Sequence, residues 1–378
     1  MVNAAKRVLL VAHDRGGVNL LAPLLSHWHC NVPRIEAAFL STPAIQYEMA
    51  SITDGRYPPA AVRKKGPGES TGPFNGIRAV QLDGVGDAFV GRSAWTFTDD
   101  DLFRILTGSQ WDLVLTGTSA LSSMEKSVWR VCRELSIPCA ALCDMWTEYK
   151  LRLTADGGEL LVDHLLVIDE RMDQEVKEAF DAPPRTKVVG SPHFDQLLEN
   201  RQRPQAHRQF IRFISEPIAA LFPKAGIHEF YAAEMVIEAL EHVGLAASLL
   251  LRPHPQDDSE GWRRFAYDYR ANGVALDSEP SWACPLSTKA AIGLSSMMLI
   301  ELALAGIPVA SLQLPGSDSS YYCLQETEFG IAVVRSAQDL AEWIVKLPPP
   351  RVSQQFIEQH QHAVKRITDL ILSDQLLS

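Results

Sequence analysis

The chain has 378 residues, of which 46% are apolar and 21% are charged, and its formal net charge is −11. This length exceeds one ordinary domain and predicts two, while the apolar content excludes an intrinsically disordered chain. The acidic balance argues against a protein that coats nucleic acid, although an acidic protein can still bind one anionic ligand in a local pocket.

The first half of the sequence alternates apolar, strand-like runs with helical patterns. Because these runs are almost continuously apolar, they predict a parallel sheet that helices cover on both faces. The predicted strands are 8–13, 35–40, 113–116, 139–142, 165–168 and 188–189, and the predicted helices are 18–29, 121–135 and 172–180. This half is therefore predicted to be Rossmann-like.

Two segments interrupt the alternation. Residues 58–75 are rich in Pro and Gly and carry the basic run Arg63-Lys64-Lys65, which predicts a long loop. This loop is either a variable surface loop or a loop that closes over a ligand. The second interruption, residues 190–206, is interpreted as the linker between the domains.

The alternation restarts in the second half and predicts a second open α/β sheet. The predicted strands are 210–215, 248–252, 274–276, 290–293 and 308–312, and the predicted helices are 229–242, 261–272, 297–305 and 337–345. The predicted domains are 1–195 and 196–350, separated by a cleft. Residues 354–377 are predicted to form a last amphipathic helix. In one interpretation, the C-terminal segment 351–378 packs back on the first domain.

The sequence gives no sign of secretion or of membrane insertion. The apolar run at 8–12 is too short for either, and Glu301 and the turn at 306–308 interrupt the longer apolar tract at 293–314. Six scattered cysteines indicate reduced, core-filling thiols. We therefore expect a cytoplasmic monomer or homodimer without a transmembrane segment. Peripheral contact with a membrane is compatible with this expectation.

The clearest chemical signal lies in the second half. Arg252 and His254 follow the apolar strand 248–252 and are bracketed by prolines, so that they can bind the phosphate of a leaving nucleotide. Ser215 ends the preceding strand and is placed in the same donor site. The alternative for His254 is a hydrogen bond within its own loop.

A second anion site is predicted where the strand 290–293 gives way to a helix. Ser295 and Ser296 stand at the start of that helix, where free backbone N–H groups and the positive end of the helix dipole favour an anion. A plain helix cap is the alternative. Glu301 lies on the same apolar helix, and a buried carboxylate there would need a partner such as a ribose diol.

These motifs resemble those of the GT-B superfamily. The resemblance rests on two Rossmann-like halves and on three motifs, Gly190-Ser-Pro-His-Phe-Asp195, Arg252-Pro-His-Pro255 and Gly293-Leu-Ser-Ser296 followed by Glu301 and Gly306-Ile-Pro308. It is nearest to bacterial sialyltransferase-like and capsule or Kdo transferases of polysaccharide biosynthesis. The resemblance to the glycerophosphotransferases of teichoic acid synthesis and to the UDP-N-acetylglucosamine 2-epimerases is looser. The resemblance implies that His254, Ser295 and Ser296 contact the nucleotide phosphate and that Glu301 contacts the ribose.

The catalytic base is harder to place. The sialyltransferases that this chain resembles carry two acidic residues followed by Gly in the first domain, and this sequence has no such triplet there. Asp14 is the first choice for a base and His13 the alternative, since both lie at the carboxyl end of strand 8–13. Asp14 could instead cap the next helix. Gly16 and Gly17 would let a ligand approach closely.

Asp144 and Glu148 follow another apolar strand and lie beside two aromatic residues, a composition suited to a sugar ring. Asp144 is the second choice for the base, and Glu148 is placed on the acceptor or sugar side. A purely structural loop is the alternative for this segment.

No metal is expected. The run Asp99-Asp100-Asp101 has the spacing of a metal-binding acidic motif, but it follows Thr98 and predicts the negative first turn of a helix. Cys139 and Cys143 lie on one strand without a second Cys or His pair.

We therefore expect a glycosyltransferase that moves a sugar from a CMP- or UDP-linked donor to a hydroxyl acceptor without a metal or another cofactor. The acceptor is a glycan, a lipid-linked sugar or a small molecule, and nucleic acid is not a partner. The alternatives are a hydrolysing UDP-sugar 2-epimerase-like enzyme and a non-catalytic protein that binds a nucleotide or a glycan.

Overall fold

The protein is described from a computed structural model that covers residues 5–41, 97–120, 122–155, 158–200, 208–221, 228–245, 249–254, 257–279, 284–314 and 329–376. The chain divides into two compact units, Met1–Gln196 with Gln359–Ser378, and Leu197–Glu358. The predicted loop at 58–75, with Arg63 to Lys65, lies outside the described residues.

The first unit is built on a parallel sheet. Its strands are β1 (Lys6–Ala12), β2 (Ile35–Ser41), β3 (Leu113–Thr116), β4 (Cys139–Leu142), β5 (His164–Val167) and β6 (Arg185–Val188). Its helices are α1 (Arg15–Asn31), α2 (Asp99–Thr107), α3 (Met124–Leu135), α4 (Tyr149–Leu153), α5 (Glu170–Ala179) and α6 (Pro192–Asn200). The division of the chain between the two units falls within α6. The strand order is β2-β1-β3-β4-β5-β6. Val8 to Ala12 have no exposed surface, as expected for a strand that is covered on both faces.

The second unit repeats this architecture. Its strands are β7 (Phe210–Ile214), β8 (Leu249–Arg252), β9 (Val274–Leu276), β10 (Thr288–Gly293), β11 (Val309–Leu312) and β12 (Ala332–Val334), in the order β12-β11-β10-β7-β8-β9. Its helices are α7 (Ile218–Leu221), α8 (Glu229–His242), α9 (Ser259–Asp268), α10 (Cys284–Ser287), α11 (Met297–Leu304) and α12 (Ala337–Lys346). All the strand pairs recorded within the two sheets are parallel. Two Rossmann-like parallel sheets were predicted, and the structure confirms them.

Three local predictions are settled by the structure. The apolar tract at 293–314 is a strand end, a helix and a strand, as expected. None of the helices in the described part of the chain has the length and apolar character that crossing a bilayer requires. Asp99, Asp100 and Asp101 form the first turn of α2, and Thr98 and Asp101 make a reciprocal capping box.

Two other segments differ in local structure from what the sequence suggested. The segment 190–206, interpreted as the linker, contains the helix α6, and the division between the two units falls within that helix. The single helix predicted for 354–377 is two helices, α13 (Gln354–His360) and α14 (Ala363–Leu372). The break between them falls at His362, whose φ of 66° is incompatible with a continuing right-handed helix.

The helix α14 packs against α1 in the core of the first unit. Ile367 and Ile371 are buried in that core, and Trp28 Nε1 donates a 2.8 Å hydrogen bond to the hydroxyl of Thr368. The carboxylate of Asp195 accepts hydrogen bonds from the backbone N–H groups of His362 and Val364, at 2.9 and 3.1 Å. Residues from the end of the chain thus complete the first sheet domain.

The Trp28–Thr368 bond predicts how this docking can be weakened. Thr368→Val removes the acceptor and leaves a buried indole N–H unsatisfied, which costs about 1–3 kcal/mol of unfolding free energy. Thr368→Ser keeps the acceptor and loses only a methyl group, which costs about 1 kcal/mol or less. Urea unfolding of the two variants compares these costs, and a Thr368→Val protein as stable as Thr368→Ser would contradict the role of the bond.

Candidate functional site

The first sheet reverses its strand order between β1 and β3. The chain leaves β1 to form β2 on one side and returns to form β3 on the other. In open parallel sheets, ligands bind beyond the carboxyl ends of the strands at such a switch point. His13 and Asp14 follow β1, Thr118 follows β3 and Asp144 follows β4, so the fold brings the predicted first-half candidates to one edge of the sheet.

The glycines of the β1–α1 turn serve packing within the protein. A Cβ atom on Gly117 would lie 2.8 Å from the Cα of Gly17, so only glycine lets the start of α1 approach β3 this closely. A Cβ on Gly16 would overlap the carboxylate of Asp144. The predicted role of Gly16 and Gly17 toward a ligand remains a prediction, but the space above them is taken by backbone and by Asp144.

Asp14 caps the first helix. Its Oδ1 accepts a 2.9 Å hydrogen bond from the backbone N–H of Gly17, which satisfies one of the free donors at the start of α1. Its negative charge also raises the pKa of both Asp144 and Glu125. Asp14 therefore influences the site electrostatically while one of its oxygens is committed to the cap.

Asp144 is held by a buried arginine that the sequence analysis did not identify. Arg152 is 7% exposed, and its Nη1 lies 3.2 Å from Asp144 Oδ1. The same guanidinium group donates to the backbone oxygens of Thr118 and Thr147 at 2.9 and 3.1 Å. Burial raises the pKa of Asp144 to about 6, because loss of hydration outweighs the attraction of Arg152. Asp144 is thus ionised at pH 7.5 and is a stronger base than an exposed aspartate.

A third carboxyl group, Glu125, was also missed. It lies in the first turn of α3, is 1% exposed, and its Oε1 accepts a 2.8 Å hydrogen bond from the backbone N–H of His13. Burial raises its pKa to about 7, against the opposing effect of backbone hydrogen bonds that include the one from His13. The sequence held one signal: Glu125 shares a helix face with Val128 and Cys132, both of which are buried.

His13 lies next to Glu125, to which its backbone N–H donates. Its side chain is partly exposed, but its Nδ1 is buried and has no hydrogen-bond partner within the described residues. Buried polar atoms of this kind are rare in folded proteins and point to a functional or ligand contact.

Glu148 and the neighbouring aromatic residues are arranged differently from the expected sugar-binding loop. Glu148 is exposed and precedes α4 with a φ of 62°. Trp146 is buried and donates a 2.6 Å hydrogen bond to Asp169, and the hydroxyl of Tyr149 donates to Glu175 at 2.7 Å. Both aromatic side chains are therefore bound within the first unit.

The second sheet has its own switch point, between β7 and β10. Ser215 and Glu216 follow β7, and Ser295 follows β10. The backbone N–H of Ser295 donates a 2.7 Å hydrogen bond to Glu216 Oε2, and the Ser296 hydroxyl accepts a 3.3 Å bond from Met298 N as the cap of α11. The predicted anion site at Ser295 therefore holds a carboxylate of the protein itself.

Arg252 belongs to a buried ion network. Its Nη1 donates to Asp277 at 2.7 Å and to the backbone oxygen of Glu279 at 2.8 Å. Asp277 also pairs with Arg212 at 2.9 Å, and neither of these two side chains has exposed surface. Although burial raises the pKa of Asp277, a backbone hydrogen bond from Glu279 and the two arginines hold it below its usual value. Sequence reasoning could not find Arg212 and Asp277, which lie 65 residues apart in the chain.

The other donor-side candidates differ in exposure. His254 is exposed, and its backbone N–H donates a 2.7 Å hydrogen bond to Asp257. Ser215 is buried, and burial raises the pKa of Asp257 against the opposing effect of the Ser215 hydroxyl. Glu301, expected to be buried, is partly exposed on α11. In the described part of the chain, no three His, Cys, Asp or Glu side chains are grouped closely enough to hold a metal ion.

Neither a protein-family model nor a curated protein matches this sequence. Several solved structures match its fold. The UDP-GlcNAc 2-epimerase of Methanocaldococcus jannaschii superposes with a TM-score of 0.61 at 10% identity, over 97% of this chain and 99% of that chain. The Neisseria meningitidis UDP-GlcNAc 2-epimerase bound to UDP-GlcNAc gives 0.61 at 12% identity, over 97% and 100% of the two chains.

A third structure, a Medicago truncatula protein complexed with UDP-glucose, gives a TM-score of 0.51 at 8% identity, over 100% of this chain and 99% of that chain. Identities this low establish the fold and nothing finer. The chain therefore has the GT-B fold, as its motifs suggested, while the sialyltransferase-like subfamily stays a prediction.

The burial of Glu125 predicts a pH-dependent stability. Because its pKa rises from 4.5 to about 7 on folding, the folded state binds more protons than the unfolded state between these values, and this group lowers stability as pH rises through that window. Glu125→Gln keeps an oxygen acceptor for His13 but cannot ionise. Its gain in unfolding free energy over the wild type should grow by about 2 kcal/mol from pH 5 to pH 8.

Urea unfolding at the two pH values measures this difference. Glu134→Gln, which changes an exposed glutamate of the same helix, is the matched control and should follow the wild type. Parallel pH dependence of Glu125→Gln and the wild type would show that Glu125 ionises normally.

Proposed function

We propose that this protein is an enzyme that uses a UDP-linked sugar and transfers the sugar to a hydroxyl acceptor. The observation that supports this most is the grouping of His13, Asp14, Glu125 and Asp144 at the switch point of the first sheet. Transfer to a hydroxyl group needs a base, and this group of side chains can supply one. UDP is preferred over CMP because the N. meningitidis relative was solved with UDP-GlcNAc and the M. truncatula protein with UDP-glucose.

We assign the base to His13, supported by Glu125. Asp14 has one oxygen committed to the cap of α1, whereas Nδ1 of His13 has no partner in the described part of the chain. Glu125 is already bound to the backbone of His13, so a small side-chain rotation or one bridging water would join the carboxyl group to the ring. A carboxyl group in that place orients an imidazole and stabilises its charged form.

The proposed step transfers one proton and one sugar. The acceptor O–H bond breaks and its proton goes to Nε2 of His13, while the Nδ1 proton moves toward the carboxyl group of Glu125. The acceptor oxygen bonds to the anomeric carbon, and the bond from that carbon to the UDP oxygen breaks. With a pKa of about 7, Glu125 can take up and release a proton near neutral pH.

The leaving UDP carries the negative charge that this step produces. We place the donor at the carboxyl edge of the second sheet, where Arg252, His254, Ser296 and the N–H of Ser295 would stabilise the phosphates and Glu301 would meet the ribose. Interactions with developing charge of this kind contribute on the order of 3 kcal/mol each in enzymes.

A hydrolysing 2-epimerase-like reaction is the second candidate. One observation favours it: two carboxyl groups whose pKa is raised by burial, Asp144 and Glu125, lie at the same edge of the first sheet, so that one can remove a proton while the other returns one. Incubation of UDP-GlcNAc without an acceptor separates the two candidates, because free UDP together with a free sugar would favour the epimerase-like reaction.

Nucleotide binding is the first requirement of both candidates. Calorimetric titration with CMP, CDP, UDP and GDP should show binding of UDP ahead of the other three. Arg252→Gln should weaken UDP binding about tenfold, as the loss of a charged donor worth roughly 1.4 kcal/mol implies. Arg263→Gln, at an exposed arginine of α9, controls for the change in net charge. Binding of none of the four nucleotides would contradict the proposal.

A further inference from the structure

Two cysteine side chains meet at the amino edge of the first sheet, opposite the edge that carries His13 and Asp144. Cys132 lies near the end of α3 and has no exposed surface. Cys139 begins β4 and is partly exposed. The two thiols lie within hydrogen-bonding reach of each other, and neither is part of a disulfide. This adjacent pair differs from the scattered, core-filling cysteines that the sequence predicted.

An open cavity of about 370 Å³ gives access to the pair. Both cysteines line it, together with residues from the end of α3, the turn into β4 and the start of β5. Arg133 and Asp163 stand at its wall, 3.8 Å apart. Ligand pockets in proteins measure about 300–1,000 Å³, so this cavity can admit a small molecule to the exposed side of Cys139.

The surroundings of Cys139 make its thiol slow to react. The hydrogen bond with Cys132 and burial raise the pKa of Cys139, and the negative charge of Asp163 acts in the same direction. A raised pKa lowers the fraction of reactive thiolate at neutral pH. The pair is thus suited to a sustained oxidising condition rather than to rapid catalysis by a thiol.

From this geometry we infer that Cys132 and Cys139 are a dithiol–disulfide pair, and that the cavity is the site at which a small-molecule disulfide oxidises them. Cys139 attacks first, because it is the exposed member. Its sulfur bonds to one sulfur of the reagent, whose S–S bond breaks and releases one thiol. The sulfur of Cys132 then bonds to that of Cys139 and displaces the second thiol. The protein is oxidised by one disulfide bond, and the reagent is reduced to two thiols.

The new bond would join two elements that also carry the carboxyl groups of the candidate site. Helix α3 has Glu125 in its first turn and Cys132 near its end, while β4 begins at Cys139 and leads to Asp144. Oxidation thus fixes α3 against β4 behind that site. The exchange itself needs only the two thiols and the cavity, and so does not depend on the proposed function.

Peptide mapping of the folded protein after treatment with cystamine tests this reaction. Trypsin cuts after Arg133 and so separates the two cysteines, whose disulfide then appears as a pair of linked peptides that dithiothreitol releases. The wild type should give this linked pair in native buffer. Cys30 is exposed and should form only a mixed disulfide with cysteamine, which shows that the reagent is active.

Three variants assign the roles. Cys132→Ser should leave cysteamine on Cys139, because no second thiol displaces it. Cys139→Ser should abolish the linked peptides and slow modification of the buried Cys132 about tenfold or more. Cys30→Ser is the matched control and should give the same linked pair as the wild type.

Two results would overturn the inference. One is the recovery of Cys132 and Cys139 as unmodified thiols from a wild-type protein in which Cys30 has reacted in full, or their linkage only after unfolding in urea. The other is a mixed disulfide that persists on Cys139 of the wild type, because it would show that Cys132 cannot reach that sulfur.

Discussion

The burial of carboxyl groups at the carboxyl edge of the first sheet is the constraint on which the rest of this site depends. Holding Glu125 with a pKa near 7 implies a cost of about 3 kcal/mol whenever the group is ionised. The backbone N–H of His13 stabilises the carboxyl group of Glu125, and the guanidinium group of Arg152 stabilises that of Asp144. An amide at position 125 would accept the same hydrogen bond without the cost of a buried charge, so the Glu125 carboxyl group is better explained by chemistry than by stability.

This constraint also explains the packing around the site. The turn that carries His13 and Asp14 must lie against β3 and Asp144, and glycine at positions 16, 17 and 117 is what allows that approach. Arg152 reaches into the same region from α4 and binds both Asp144 and the backbone of Thr118. The result is a small rigid region in which the charge of Asp14 acts on two neighbouring carboxyl groups.

The charged side chains of the second unit are arranged differently from those of the first. There the two arginines Arg212 and Arg252 are paired with the two acids Asp277 and Glu279. A chain of net charge −11 can therefore serve an anion only through local donors at the strand ends.

Much of this architecture could be predicted from the sequence, because continuous apolar runs and helical periodicity identify covered parallel strands. The two Rossmann-like sheets and the positions of His13, Asp14 and Asp144 at strand ends followed from that pattern, and the GT-B fold followed from the resemblance of the motifs to that superfamily. The partners could not be predicted, since Glu125 and Arg152 come from segments with ordinary helical patterns, and Glu216 meets Ser295 only through the strand order of the second sheet. The break at His362 was missed because no glycine or proline marks it.

The dependence of turnover on Glu125 tests the central claim most directly. UDP release from UDP-GlcNAc in the presence of an acceptor should fall about a hundredfold in Glu125→Gln at pH 7.5. The concentration of half-saturation should stay unchanged, and Glu125→Asp should restore part of the rate. Equal turnover in Glu125→Gln and wild type, with both proteins folded, would show that the buried carboxyl group takes no part in proton transfer.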